Sequence, residues 1–147
     1  MSRKKGGPMQ EEYYQKMVEY RNRYNRFAVE NGIIITLIRE GYAEVELEIQ
    51  PHHMNPIGSV HGGCLFTLAD AACISAATSY GMKVTTMDSN LHFLRPALNS
   101  EKIYARGQVV KHGRQVTVVQ TDLYDQDDAL LATGIFSCMS IGQPLEL

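Results

Sequence analysis

The chain has 147 residues, 44% of them hydrophobic and 20% charged, with a formal net charge of -2. That length suits one domain with one core, and a pI of about 6.2 excludes a nucleic-acid partner held by bulk charge. The longest apolar stretch, around residues 64–77, carries Asp70 and is too short to span a bilayer.

The first segment, "MSRKKGGPMQ", is basic but leads into no apolar run, so it does not read as a secretory signal. Residues 1–9 read as a loose tail and 10–147 as the domain. Residues 10–30 are predicted as a helix. Tyr13, Met17, Tyr20, Tyr24 and Phe27 recur at steps of three and four, with Arg21, Arg23 and Arg26 among its polar positions. Asn31-Gly32 is a helix stop. "IIITLI" then reads as a strand running to a turn at Glu40-Gly41. In "AEVELEIQ", Val45, Leu47 and Ile49 alternate with Glu44, Glu46, Glu48 and Gln50, the pattern of a strand with one wet face. Pro51 ends that strand, and the loop "HHMNPIGSV" follows.

"HGGCLFTLAD" continues as "AACISAATSYG", a helix apolar nearly all round that stops at Gly81. Four strand-like runs come after it: "VTTMDSNLHFL", "KIYARGQVVK", "QVTVVQTDLYD" and "ALLATGIFSCMSI". The breaks between them are short and polar, which argues for antiparallel neighbours. The order is helix, two strands, apolar helix, four strands. It predicts an α+β architecture in which a six-stranded antiparallel sheet wraps the apolar helix.

Two features of that helix bear chemistry. Gly62 and Gly63 fall in its first turn, where backbone N–H groups lack partners and carry partial positive charge. Without side chains, they let a ligand oxygen approach; tight loop packing is the plainer use of the same glycines. Asp70 lies inside the apolar run, where an unpaired carboxylate costs several kcal/mol. It needs a partner, such as Thr67 one turn earlier or a backbone group of the sheet, or it needs a task. At 1.5 Å rise per residue, Gly62 and Asp70 are about 12 Å apart along the axis. A base must come within about 3 Å of its reacting atom. If both features serve one reaction, Asp70 must come from a second copy of the chain, which predicts a dimer with two equivalent shared sites.

Cys64, Cys73 and Cys138 are an odd number with no metal-type pairing, and they read as reduced, buried thiols of a cytoplasmic protein. His52, His53, His61 and Cys64 have no ordered ligand spacing, so no metal is expected.

The span "NPIGSVHGGCLFTLAD" resembles the signature of the hotdog-fold acyl-CoA thioesterases, and most of all the phenylacetate-degradation type within the 4-hydroxybenzoyl-CoA thioesterase superfamily. The matching elements are Asn55, then His61-Gly62-Gly63, then Asp70. "LHFLRPA" and the four-strand tail with Gly113-Arg114 also match, over roughly residues 33–142. The resemblance implies a hotdog fold with an extra N-terminal helix. It also implies hydrolysis of an acyl-CoA to free acid and CoA. The Gly62 N–H would polarise the thioester carbonyl, and Asp70 of the partner subunit would act as general base or nucleophile. Asn55 would place the water or the carbonyl, and His61 would orient the loop or touch the thioester. A strand hydroxyl assists in some relatives; Thr85, Thr86 and Ser89 are the candidates, and Thr86 is preferred.

Gly63, Lys111 and Arg114 are the candidate CoA contacts, the two cations flanking the "KHGR" turn. No cofactor is implied, because CoA is part of the substrate. The expected assembly is a homodimer, paired into a tetramer, without nucleic acid or membrane. Two rivals stay open: a hotdog dehydratase or hydratase acting on acyl thioesters, and a non-catalytic acyl-CoA-binding or sensing module.

Overall fold

The computed structural model describes residues 7–147. The N-terminal segment forms two helices rather than one: α1 (Pro8–Tyr24) and α2 (Arg26–Glu30). Between them Asn25 leaves the helical region, with ψ at 69°. The end of α1 is fastened to the first strand by Asn22, whose Nδ2 donates to the Ile35 carbonyl at 2.8 Å. Its Oδ1 accepts from the Ile35 N–H at 2.9 Å. The bend breaks up the predicted apolar stripe. Met17 and Ala28 are buried, but Tyr24 and Phe27 are 58% and 69% exposed. Of the tail expected over residues 1–9, Pro8 and Met9 belong to α1, and residues 1–6 lie outside the described residues.

The strands follow in the predicted order: β1 (Ile33–Arg39), β2 (Tyr42–Glu48), β3 (Met82–Phe93), β4 (Lys102–His112), β5 (Val116–Asp125) and β6 (Leu130–Pro144). The apolar helix α3 (Gly62–Thr78) sits between β2 and β3 in the chain. One antiparallel sheet runs in the order β1-β2-β4-β5-β6-β3. Alternation does what the sequence implies: Ala43, Val45 and Leu47 are fully buried, while Glu44 and Glu46 keep to the wet face.

The concave face of the sheet holds α3. Small residues bring helix and sheet close together, notably Ala69, Ala71, Ala72, Ala76 and Ala77. At the closest approach a Cβ on Gly107 of β4 would lie 2.5 Å from the Ala72 carbonyl oxygen, so only glycine fits there. Leu68, Phe136, Leu123 and Ile103 fill the core around this contact with complete burial, each such side chain stabilising the fold by about 1.5–3 kcal/mol.

Coverage of α3 is incomplete along one line. Gly63, Phe66, Thr67 and Asp70, spaced three and four apart, form a stripe that reaches solvent. From Ala71 to Ser79 every residue is buried. β1 and β3 are the two edges of the sheet, and β3 pairs only with β6 among the described residues.

Candidate active site

The loop before α3 is held by its own side chains. His53 is buried; its Nδ1 accepts from the Gln50 N–H at 2.9 Å and its Nε2 donates to the Asn31 carbonyl at 2.6 Å. Asn55 Oδ1 accepts from the N–H groups of Ile57 (3.1 Å) and Ser59 (3.0 Å), and its Nδ2 donates to Ser59 Oγ at 2.8 Å. Gly58, at φ 83°, turns the chain within this ring of bonds. Asn55, expected to place water or the carbonyl, thus shapes the loop that delivers the start of α3.

His61 is the N-cap. Its Nδ1 accepts from the Gly63 N–H at 2.8 Å. The ring is therefore the neutral form carrying its proton on Nε2. A Cβ on Gly63 would lie only 3.0 Å from that Nδ1, so the glycine makes room for the cap. The cap takes up the Gly63 amide, which leaves Gly63 no free N–H for a CoA phosphate. The Gly62 N–H is different: it makes no hydrogen bond among the described residues. It is an open donor at the positive end of a 17-residue helix.

Asp70 is half-buried rather than sunk in the core. Its partner is not Thr67, whose hydroxyl donates to the Gly63 carbonyl at 2.8 Å. Thr86 Oγ1 donates to Asp70 Oδ1 at 2.6 Å, a short charge-assisted bond. The strand is shaped for this contact. Thr86 pairs with Cys138, but Asp88 pairs with Ser137, so Met87 is an extra residue forming a bulge. Thr85 and Ser89 are exposed, and neither hydroxyl bonds Asp70.

Cys73, Cys138 and Arg21 all feel the charge of Asp70. Cys73 and Cys138 are buried with their sulfurs 3.0 Å apart. That contact, reinforced by burial, pushes the Cys73 thiol up. Cys64 is half-buried, not fully buried as expected, and burial pushes its thiol up to about 11; a protonated thiol is a poor nucleophile. Arg21 of α1 is the third. Burial pulls its pKa down, and the negative charge of Asp70 is the main influence opposing this.

Lys111 and Arg114 are exposed at the β4–β5 turn. The Tyr80 and His112 rings stack at 3.7 Å and 4°, which ties that turn to the C-terminal end of α3. The two cations are thus about 24 Å along the helix axis from Gly62 of the same chain. No group of three His, Cys, Asp or Glu side chains converges as a metal site among the described residues, and no helix is long and apolar enough to cross a membrane.

A six-stranded antiparallel sheet wrapped round one apolar helix, with an open amide at the helix start and a strand hydroxyl on a helix carboxylate, defines a hotdog-fold protein of the thioesterase kind. The chain belongs to the Thioesterase superfamily, whose sequence profile matches residues 57–132, a span that contains Gly62, Asp70 and Thr86. It is 33% identical over 101 residues to the acyl-coenzyme A thioesterase PaaI of Escherichia coli, covering 69% of this chain and 72% of that protein. It is 28% identical over 95 residues to a putative esterase of Archaeoglobus fulgidus, covering 65% of this chain and 62% of the relative's length. The solved structure of E. coli PaaI, from the phenylacetic acid degradation operon, superposes with a TM-score of 0.87 at 26% identity, covering 93% of this chain and 99% of that one.

Sequence reading gave Arg21 and Cys138 no place near Asp70. Arg21 did leave a signal, because it sits four residues after the buried Met17 on the same helix face. Cys138 left none, since only strand register places it beside Thr86.

Proposed function

We propose that this protein is an acyl-CoA thioesterase that works as a homodimer with shared sites. The observation that carries this reading is the 2.6 Å Thr86–Asp70 bond on the uncovered stripe of α3, the same stripe that begins at the open Gly62 amide. About 12 Å separates these two features along the axis, too far for one reaction centre. Two copies joined along the free edge of β3, with their α3 stripes facing and antiparallel, place Asp70 of one against Gly62 of the other. Phe66, Met87 and Phe93, all exposed, supply apolar surface for that contact. Exposed Ile34, Val110, Ile135 and Met139 suit pairing of dimers into a tetramer. The free cysteines fit the reducing cytoplasm.

In this site the Gly62 N–H and the helix dipole stabilise the oxyanion formed on the thioester carbonyl. Thr86 holds Asp70 Oδ1 and leaves Oδ2 to take a proton from water. The water oxygen bonds to the carbonyl carbon, the C–S bond breaks, and Asp70 returns its proton to the departing thiolate. His61 Nε2–H is a second donor at the helix start. Lys111 and Arg114 bind the CoA phosphates about 12 Å beyond Asp70, at the other end of α3.

The test is release of free thiol from a panel of acyl-CoAs, followed with a disulfide reagent. Asp70→Asn should lower kcat by orders of magnitude while light scattering shows an unchanged dimer. Hydration of an enoyl-CoA without thiol release would assign the site to a hydratase. Tight acyl-CoA binding with no turnover would assign it to sensing.

A further inference from the structure

Two buried thiols sit behind the Thr86–Asp70 pair, and the reaction above uses neither. Cys73 and Cys138 are both 0% exposed, and their sulfurs are 3.0 Å apart. Cys73 comes three residues after Asp70, on the same face of α3. Cys138 of β6 lies directly opposite Thr86 of β3 in the strand register. Side chains paired in this way project to the same side of the sheet, with Cβ atoms about 4.5–5.5 Å apart. Cys138 also shares a side-chain hydrogen bond with Thr86. Helix and sheet are thus joined twice within one helical turn, by Asp70–Thr86 at 2.6 Å and by Cys73–Cys138. The four side chains close a ring.

Proton accounting gives the ring a direction. The Asp70 carboxylate only accepts, so the single Thr86 hydroxyl proton is committed to it. Toward Cys138 the Thr86 oxygen has only lone pairs to offer, so the S–H of Cys138 is the donor in that contact. The Cys138 sulfur in turn accepts from the S–H of Cys73. Every proton then points toward Asp70, and each bond polarises the next. The Cys73 contact pulls the Cys138 thiol below its ordinary value, while burial and the charge of Asp70 push it up. A thiolate here would be a second buried negative charge beside the first. Thr117 of β5 flanks Cys138 on its other side, but its hydroxyl is engaged by His112 Nδ1 at 2.9 Å. Alanine at this position would also suit an apolar core, but it has no donor to hold the Thr86 hydroxyl.

We propose that Cys138 is a positioning residue whose S–H, anchored by Cys73, fixes the Thr86 hydroxyl with its proton on Asp70 Oδ1. This rests on the thioesterase reading and adds a residue to its site. A fixed hydroxyl keeps Oδ1 occupied and Oδ2 open to the proton of water.

The experiment joins a double-mutant cycle to infrared spectroscopy of the S–H stretch. In thiol release from the best acyl-CoA of the panel, Cys138→Ala should lower kcat by roughly 3- to 10-fold, the worth of one ordinary hydrogen bond, with KM unchanged. Cys138→Ser keeps a donor and should recover most of that loss. In a Thr86→Val background, Cys138→Ala should cause no further loss, because the thiol acts through that hydroxyl. The S–H band that disappears in Cys138→Ala should move to higher frequency in Thr86→Val and stay in place in Thr117→Val. Cys138→Ser assigns the same band if the alanine variant fails to fold. Losses that multiply in the double variant overturn the proposal, as does a Cys138→Ser variant as slow as Cys138→Ala. A Cys138 band that Thr86→Val leaves in place overturns it too, and so does one that Thr117→Val moves instead. Absence of a Cys138 S–H band at neutral pH means a thiolate, which also overturns it. Each of these results, with wild-type thiol release intact, sinks this proposal alone. Absence of wild-type turnover on every acyl-CoA overturns the thioesterase reading and the catalytic purpose of the ring with it.

Discussion

Mixing two inactive variants should restore activity if each site is built from two subunits. The first variant is Asp70→Asn, which loses the base. The second is Gly62→Pro, which loses the oxyanion donor. Proline suits this place, because Gly62 is the first residue of α3 and the backbone N–H there has no partner inside the helix. His61 before it, at φ -58° and ψ 133°, already has the extended conformation that a following proline requires. A Cβ at position 62 meets nothing closer than the Phe93 ring at 3.7 Å.

Each pure variant should be slow, Gly62→Pro by about 100- to 1,000-fold for one missing donor. Random reassociation of equal amounts gives roughly half mixed dimers. Each mixed dimer has one site with both defects and one with neither. Thiol release should therefore recover to about a quarter of the wild-type rate. The reasoning depends on the roughly 12 Å between Gly62 and Asp70 within a chain. A mixture no faster than its parents, despite mixed dimers seen by native mass spectrometry, refutes it, for then both groups act within one subunit.

Thr86→Ala should lower kcat by roughly 10- to 100-fold, the worth of a hydrogen bond to a charged group, with KM little changed, and Thr86→Ser should recover most of the loss; equal damage from both variants would mean the threonine methyl matters rather than its hydroxyl. Cys64 should resist iodoacetamide at neutral pH and react only as pH approaches 11, and Cys64→Ser should keep full turnover. The same shift has a stability sign. The folded thiol holds its proton above the ordinary value of 9.0, so its stabilising contribution is complete below pH 9 and fades as pH rises towards 11. Rapid labelling at pH 7 of the folded protein, by mass spectrometry, would contradict both statements.

Features that repeat in the chain were readable in the sequence. Strict alternation around Val45 and Leu47, and a helix apolar on nearly every side, were enough to place six strands around α3. Asp70 was conspicuous because a carboxylate in an apolar run demands a partner, and Thr86 proved to be that partner. What escaped depends on single, non-repeating events. The break at Asn25 follows Asn22, whose side chain reaches across to β1, and no proline or glycine announces it. The bulge at Met87 has no residue signature, although it adjusts the strand beside Thr86. Asn55, expected from its motif to place water or the carbonyl, also bonds within its own loop, a contact the motif does not announce. Arg21 was placed only among the polar positions of its helix, and a charge on an outer helix ordinarily stays in solvent.

The division of α3 into a sealed side and an open side separates two kinds of selection on one helix. Substitutions at Leu68, Ala69 or Ala72 are judged by whether the protein folds, and Gly107 narrows the choice further. Those at Phe66, Thr67 or Asp70 reach solvent and are judged by what the site does. A saturation scan of Gly62–Thr78 should split by helical period, with loss of abundance on one phase and loss of turnover on the other. Descendants of such a chain can therefore alter their chemistry along the stripe at little cost to folding, and one scaffold can host reactions that differ by a few side chains.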